Sequence, residues 1–224
     1  MLELYLDTAD ARQVARFHAC LPIRGVTTNP SILAQSATGL KQLLPALADS
    51  LGAEARFHVQ VVSQSVEEMV SEAAELNRLP YDIVAKVPAT ESGLAAIRRI
   101  KTLNHQVLAT AIYCSHQGFL AALAGADYLA PYVNRIDMIG ADGVGVVADL
   151  QLLIDRHRLP CKLLPASFKN TQQVMAVLKL GVGAITIPVD VAEQMLKHPA
   201  VPAAVTQFSR EWHEAFGNRL SFQS

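Results

Sequence analysis

The 224-residue chain has only three cysteines, Cys20, Cys114 and Cys161, far apart and without a Cys-x-x-Cys pair. An odd number at such spacing points to neither a disulfide framework nor a zinc knuckle, and the three read as small buried hydrophobes. Seven histidines occur without His-Glu-x-x-His spacing, and no Gly-x-Gly-x-x-Gly or phosphate-loop run is present. No metal and no nucleotide cofactor is therefore expected. An excess of one charge is also missing, with 19 basic against 20 acidic residues and a net charge of −1. No global field then favours nucleic acid or an anionic membrane, and any anion site must be local. No apolar run reaches membrane-spanning length. The opening Met-Leu-Glu-Leu-Tyr-Leu-Asp lacks the basic region and longer apolar stretch of an export signal, so a cytoplasmic location is expected.

What is present is apolar. Hydrophobic residues make up 51% and charged residues 17% of the chain, with mean hydropathy +0.24. This excludes disorder and implies extensive burial, for which a subunit interface is one place besides the chain's own core. The length fits one large domain, and neither a linker nor a low-complexity segment divides residues 1–224.

Strand-like and helix-like stretches alternate. Strands are expected at 4–8, 25–30, 56–62, 82–88, 106–113, 128–135, 162–168 and 184–188. Helices are expected at 10–19, 39–50, from Ser65 onward, 91–103, 115–124 and 146–157, with one more before Gly181 and Gly183. Ser65-x-x-Glu68 is a capping-box signature, and Val66, Met69, Val70 and Ala73 form the stripe that follows. Gly140, Gly143 and Gly145 read as a flexible turn. Pro131 inside the sixth strand is tolerable only where ladder bonding is irregular.

Eight such units favour a parallel sheet closed into a (β/α)8 TIM barrel with an additional C-terminal helix, with an open doubly wound sheet as the alternative. Barrel sites lie at the C-terminal strand ends, where polar residues fall: Asp7, Thr27 with Asn29, Gln60, Lys86, Thr110, Tyr132 with Asn134, and Ser167. Each of the first seven strands contributes. The period of two puts Thr27 with Asn29, His58 with Gln60, and Tyr132 with Asn134 on common faces. His58 reads as a packed barrel histidine without a catalytic role.

Lys86 is the unusual member. An amine inside the apolar run 82–88 loses hydration, which disfavours its charged form and makes it a nucleophile toward a carbonyl carbon. The alternative is a lysine at the strand's end that reaches solvent or pairs with a carboxylate. Beyond the last strand, Val205, Phe208, Trp212 and Phe216 form a helical stripe over 201–216, which serves either a neighbouring subunit or the chain's own barrel.

The segments 4–9, 25–31, 84–88, 130–137 and 166–169 together resemble the transaldolase family, and most closely its short-chain fructose-6-phosphate aldolase branch, from Met1 to about Gly217. The resemblance implies a cofactor-independent class I lyase on a (β/α)8 barrel, with Lys86 as the Schiff-base lysine of the fourth strand. The reaction implied is reversible cleavage of fructose 6-phosphate to dihydroxyacetone and glyceraldehyde 3-phosphate. Asp7 and Asn29 then bind and orient hydroxyls, with Thr27 and Asn134 beside them. Gln60, Thr110 and Tyr132 hold or activate a proton-moving water, and Arg135, Ser167 and Lys169 take the phosphate. In transaldolases proper the Gln60 position is usually glutamate and the Tyr132 position phenylalanine, so both residues favour the aldolase branch. Rings of five, pairing into decamers, are implied as the homo-oligomer.

Ala109 before Thr110, Pro165 in strand seven and the Met138-Ile139 pair depart from the family pattern and bear on substrate size and donor preference. The rival readings are a transaldolase passing a dihydroxyacetone unit between sugar phosphates, and a non-catalytic sugar-phosphate-binding barrel.

Overall fold

Short runs bounded by caps form eight strands and eleven α-helices in a computed structural model that describes residues 2–223. Positions 1 and 224, the two ends of the expected domain, lie outside the described residues. In chain order the elements are β1 (Glu3–Asp7), α1 (Ala11–His18), β2 (Ile23–Thr27), α2 (Pro30–Ser36), α3 (Leu40–Leu51), β3 (Arg56–Gln60), α4 (Val66–Asn77), β4 (Asp82–Pro88), α5 (Glu91–Thr102) and β5 (Val107–Ile112). They continue as α6 (Ser115–Leu123), β6 (Tyr128–Pro131), α7 (Val133–Met138), α8 (Gly143–His157), β7 (Lys162–Leu163), α9 (Thr171–Leu178), β8 (Ala184–Pro188), α10 (Val189–Leu196) and α11 (Ala200–Phe216).

All strand pairs are parallel, in the order β7-β6-β5-β4-β3-β2-β1-β8. β7 and β8 are the outer strands of this order, and the Thr186 N–H joins them with a 3.1 Å bond to Pro165 O, so the sheet closes on itself. This is a (β/α)8 TIM barrel with an additional C-terminal helix. The open doubly wound alternative fails on this contact between the two outer strands of the order. Gly25 permits a close approach within the ring, since a Cβ there would lie 1.8 Å from Arg56 O.

Caps place the helices. Asp10 accepts from the N–H groups of Arg12 and Gln13 at 2.9 and 3.2 Å, so α1 starts directly after β1. The Ser65 hydroxyl accepts from Glu68 N–H and donates to Glu68 Oε2 at 2.8 Å, a variant of the expected capping box. Met69 and Ala73 are buried as expected and Leu76 joins them, while Val66 and Val70 are half-buried.

Two apolar compartments result. The larger lies between strands and helices. The smaller fills the barrel interior with Tyr5, Val84, Leu108, Tyr128, Ala130, Leu164 and Ala184. His58 is fully buried there, edge-on to Tyr5 at 4.7 Å and Tyr128 at 5.1 Å, and burial keeps its imidazole neutral. The N-terminal end of the barrel is plugged by polar groups. Glu3 Oε2 accepts from the Tyr5 and Tyr128 hydroxyls at 2.8 and 2.9 Å, its Oε1 from Lys162 at 2.6 Å, and Arg56 joins Tyr128 to Asp82. The floor is thus sealed, and polar chemistry is confined to the opposite mouth.

Several boundaries differ from the sequence reading. The sixth strand ends at Pro131, and after a single bridge between Tyr132 and Ala166 the chain turns into α7. Asn134 and Arg135 are therefore helical, and Asn134 does not share a strand face with Tyr132. Asn29-Pro30 begins a helix instead of only ending a strand, because Asn29 caps α2 and proline suits a first helical position. Gly143 and Gly145 lie in the first turn of α8, capped by Asp142, and only Gly140 makes the turn with positive φ. Regular pairing in β7 covers only Lys162–Leu163, although the Leu164 and Ala166 N–H groups still bond to Leu129 O and Pro131 O at 2.8 and 3.0 Å; Pro165, which has no N–H, falls at the alternate position that faces away from β6. The α10 helix was not anticipated.

Candidate active site

Lys86 is the fifth residue of β4, a strand whose five central residues are all buried. Its side chain points into the barrel with 5% exposure, and Nζ donates to Thr28 O at 2.5 Å. That exposure rules out the strand-end lysine reaching water. Burial pulls its pKa below the ordinary lysine value, and the nearby Asp7 carboxylate offsets this only in part.

Asp7 ends β1. Burial pushes its carboxyl up, against the pull of Lys86, the Thr27 hydroxyl and Arg135. The Thr27 hydroxyl donates to Asp7 Oδ1 at 2.6 Å and lies 2.7 Å from the Thr186 hydroxyl. With its only proton committed to Asp7, Thr27 must accept from Thr186. Asn29 spends its Oδ1 on the N–H of Ile32 at 3.0 Å, which leaves its amide nitrogen free to donate.

Across the mouth, the Tyr132 and Thr110 hydroxyls are 2.8 Å apart. Burial raises the Tyr132 phenol above its usual value, so at neutral pH it is a proton donor. A positive φ of 57° at Ala111 accompanies the broken β5–β6 register between Ala109 and Ile112. The Arg135 guanidinium lies over the Tyr132 ring, 4.9 Å from its centre, with Nη1 donating to the Tyr113 hydroxyl at 3.5 Å. Gln60 is the register partner of Lys86, with its side chain partly exposed and unbonded among the described residues.

A cavity of about 380 Å³ takes in Lys86, Asp7, Asn29 and Tyr132 at one end. The same cavity is lined by Asn134, Arg135, Ser167 and Lys169 at strand ends six and seven. Of the remaining expected residues, Thr27 and Thr110 are fully buried beneath it, and Gln60 stands outside its lining. Ser167 has φ 62°, a conformation unusual for a residue with a side chain, and its carbonyl is held by the Asn134 N–H at 2.8 Å. Among the described residues no group of three His, Cys, Asp or Glu side chains converges to hold a metal ion.

The arrangement suits a carbonyl substrate with an anionic tail. A model of the transaldolase/fructose-6-phosphate aldolase family matches residues 4–222. The chain belongs to that family. The family's description joins transaldolases with fructose-6-phosphate aldolases.

Solved structures add the fold alone. A Sinorhizobium meliloti protein named a "putative isomerase", in an open-loop conformation, matches with TM-score 0.62 at 11% identity over 85% of this chain and 52% of that one. A mandelate racemase/muconate lactonizing protein from Paracoccus denitrificans, complexed with magnesium, matches with TM-score 0.53 at 15% identity over 85% and 55%. The chain thus spans about half the length of these two proteins.

For this transaldolase/fructose-6-phosphate aldolase family member, three contributors to the site escaped the sequence reading. Thr186 reaches Thr27 only because β8 closes beside β1, a proximity no local pattern announces. Tyr113 lies just past β5, with its ring edge-on to Tyr132 at 5.7 Å. The Thr28 carbonyl is backbone, and residue type carries no signal for it.

Proposed function

We propose that the chain is a class I aldolase that reversibly cleaves fructose 6-phosphate to dihydroxyacetone and glyceraldehyde 3-phosphate through an imine at Lys86. The observation that carries this reading is the Lys86 amine, held dehydrated in the barrel with Asp7 and Tyr132 lining the same cavity. Burial lowers the pKa of this amine, so at any given pH a larger share of it carries the lone pair than in a solvated lysine.

The chemistry follows the geometry. The Lys86 nitrogen adds to the ketose C2, and loss of water from the carbinolamine gives the iminium. Removal of the C4 hydroxyl proton breaks the C3–C4 bond, with its electron pair entering the iminium to leave an enamine and free aldehyde. Protonation at C3 and hydrolysis then release dihydroxyacetone and restore the amine. Tyr132 with Thr110, and a water held by the unbonded Gln60 amide, are assigned these proton transfers. Asp7, supported by Thr27, and the free Asn29 amide nitrogen take the donor hydroxyls, while Arg135, Ser167, Lys169 and Asn134 receive the phosphate end.

The Tyr132–Thr110 pair supports lyase over transferase. Transfer needs the enamine to survive until a second sugar arrives, whereas a phenol at hand protonates it. Steady-state cleavage of fructose 6-phosphate, with and without erythrose 4-phosphate, tests this. Turnover without acceptor supports the aldolase, and acceptor-dependent turnover would make the chain a transaldolase.

We read residues 1–224 as one barrel domain, cytoplasmic and homo-oligomeric. None of the α11 residues is buried, so packing on its own barrel does not account for its stripe, which we assign to a second copy of the chain. Pentamers or decamers are what the resemblance implies.

A further inference from the structure

We propose that Gln173 on α9 is a positioning residue that couples the two strand-end segments assigned to the phosphate; the inference rests on the function proposed above. The amide does not line the cavity but touches both segments. Its Oε1 accepts from the Lys169 N–H at 2.9 Å, and its Nε2 donates to Asp137 Oδ2 at 2.7 Å and toward Asn134 Oδ1 at 3.4 Å. Its backbone N–H is capped by Asn170 at 2.8 Å. Asp137 in turn accepts from Gly143 N–H at 2.8 Å. One side chain therefore joins α7, which carries Asn134 and Arg135, to the 167–170 turn, which carries Ser167 and Lys169.

Backbone bonds already hold part of this region, from Val133 N–H to Ala166 O at 3.0 Å and from Asn134 N–H to Ser167 O at 2.8 Å. They stop at the strand ends. Arg135 and Lys169 lie beyond them, both exposed, and Gln173 is the side chain among the described residues that bonds to both segments. A flexible cation binds an anion less well than one held in place, because ordering its rotamers costs binding free energy. Gln173 thus sets the spacing of two cations without touching the ligand.

The test uses the full chain and glycerol 3-phosphate, titrated at fixed ionic strength with glycerol as control. Gln173→Met keeps the bulk and removes the hydrogen bonds, and should weaken glycerol 3-phosphate about three- to tenfold. Borohydride trapping of dihydroxyacetone, which has no phosphate, should stay at the parent level. Gln173→Glu faces Asp137 with a like charge. The pair Asp137→Asn/Gln173→Glu restores the net charge and a donor across the gap, and should return affinity to within about twofold of the parent.

An unchanged dissociation constant in Gln173→Met would overturn the proposal, as would a double variant no better than Gln173→Glu alone. A parallel loss of trapping would also overturn it, by revealing general disorder. Should Gln173→Met not fold, the double-variant comparison decides. A parent that traps no dihydroxyacetone would sink the aldolase reading, while the glycerol 3-phosphate comparison would still decide the role of Gln173.

Discussion

The hydroxyl of Tyr132 lies 2.8 Å from that of Thr110, a neighbour supplied by the preceding strand, while Arg135 covers the tyrosine ring. Because burial keeps this phenol protonated, it is placed to donate rather than accept. Tyr132→Phe removes the donor and keeps the ring. Cleavage of fructose 6-phosphate should fall about 10²-fold. Transfer to an added aldehyde should fall less, so the ratio of free dihydroxyacetone to transfer product should drop. An unchanged ratio would show that the phenol does not partition the enamine.

Asp7 and Lys86 are electrostatically coupled, each carrying the other's charge in its titration. Asp7 raises the pKa of Lys86 against the larger effect of burial. Asp7→Asn removes that support, so the amine should lose its proton at lower pH still. The rising limb of dihydroxyacetone trapping against pH should therefore move toward acid, while maximal cleavage falls about 10²-fold. A limb displaced toward alkali would contradict the coupling.

The barrel floor should titrate in the opposite sense to its mouth. Burial pushes the Glu3 carboxyl up, but hydrogen bonds from Lys162, Tyr5 and Tyr128 outweigh it and hold the group below its ordinary 4.5. A depressed folded value stabilises the fold above pH 4.5, and that contribution is lost as pH falls through the folded value. Glu3→Gln should cost about 1–3 kcal/mol at pH 7. The deficit should shrink below pH 4.5, which denaturant melts at pH 7 and pH 3 would measure. A deficit independent of pH would remove the charge from the explanation.

Along α11, Val201, Val205 and Phe208 are exposed, Phe208 at 65%. Ending the chain at residue 199 should yield a folded barrel of lower mass by light scattering, since the helix supports none of its own core. A truncated chain that keeps the parent's assembly would reassign the stripe.

Legibility in the sequence followed the physics of each element. The strands were readable because buried parallel strands are rich in short apolar runs, and Lys86 stood out because its neighbours Val84, Ala85 and Val87 are not polar. Asn134 and Arg135 were misplaced because four residues after Pro131 do not distinguish a period of two from one of 3.6. The α2 helix was missed because Asn-Pro both stops a strand and starts a helix. Ser167 was assigned to the site from its place at a strand end, yet its positive φ follows from tertiary contacts with the 133–134 segment. The Thr186–Thr27–Asp7 chain and the Gln173 tether link residues 159 and 36–39 positions apart, beyond any local pattern.

The central claim is the amine at position 86. Incubation with dihydroxyacetone and borohydride, followed by peptide mass mapping, should give a reduced three-carbon adduct on Lys86, and none in Lys86→Met, which should also lack cleavage. An unmodified Lys86, or cleavage that survives in Lys86→Met, would contradict the account.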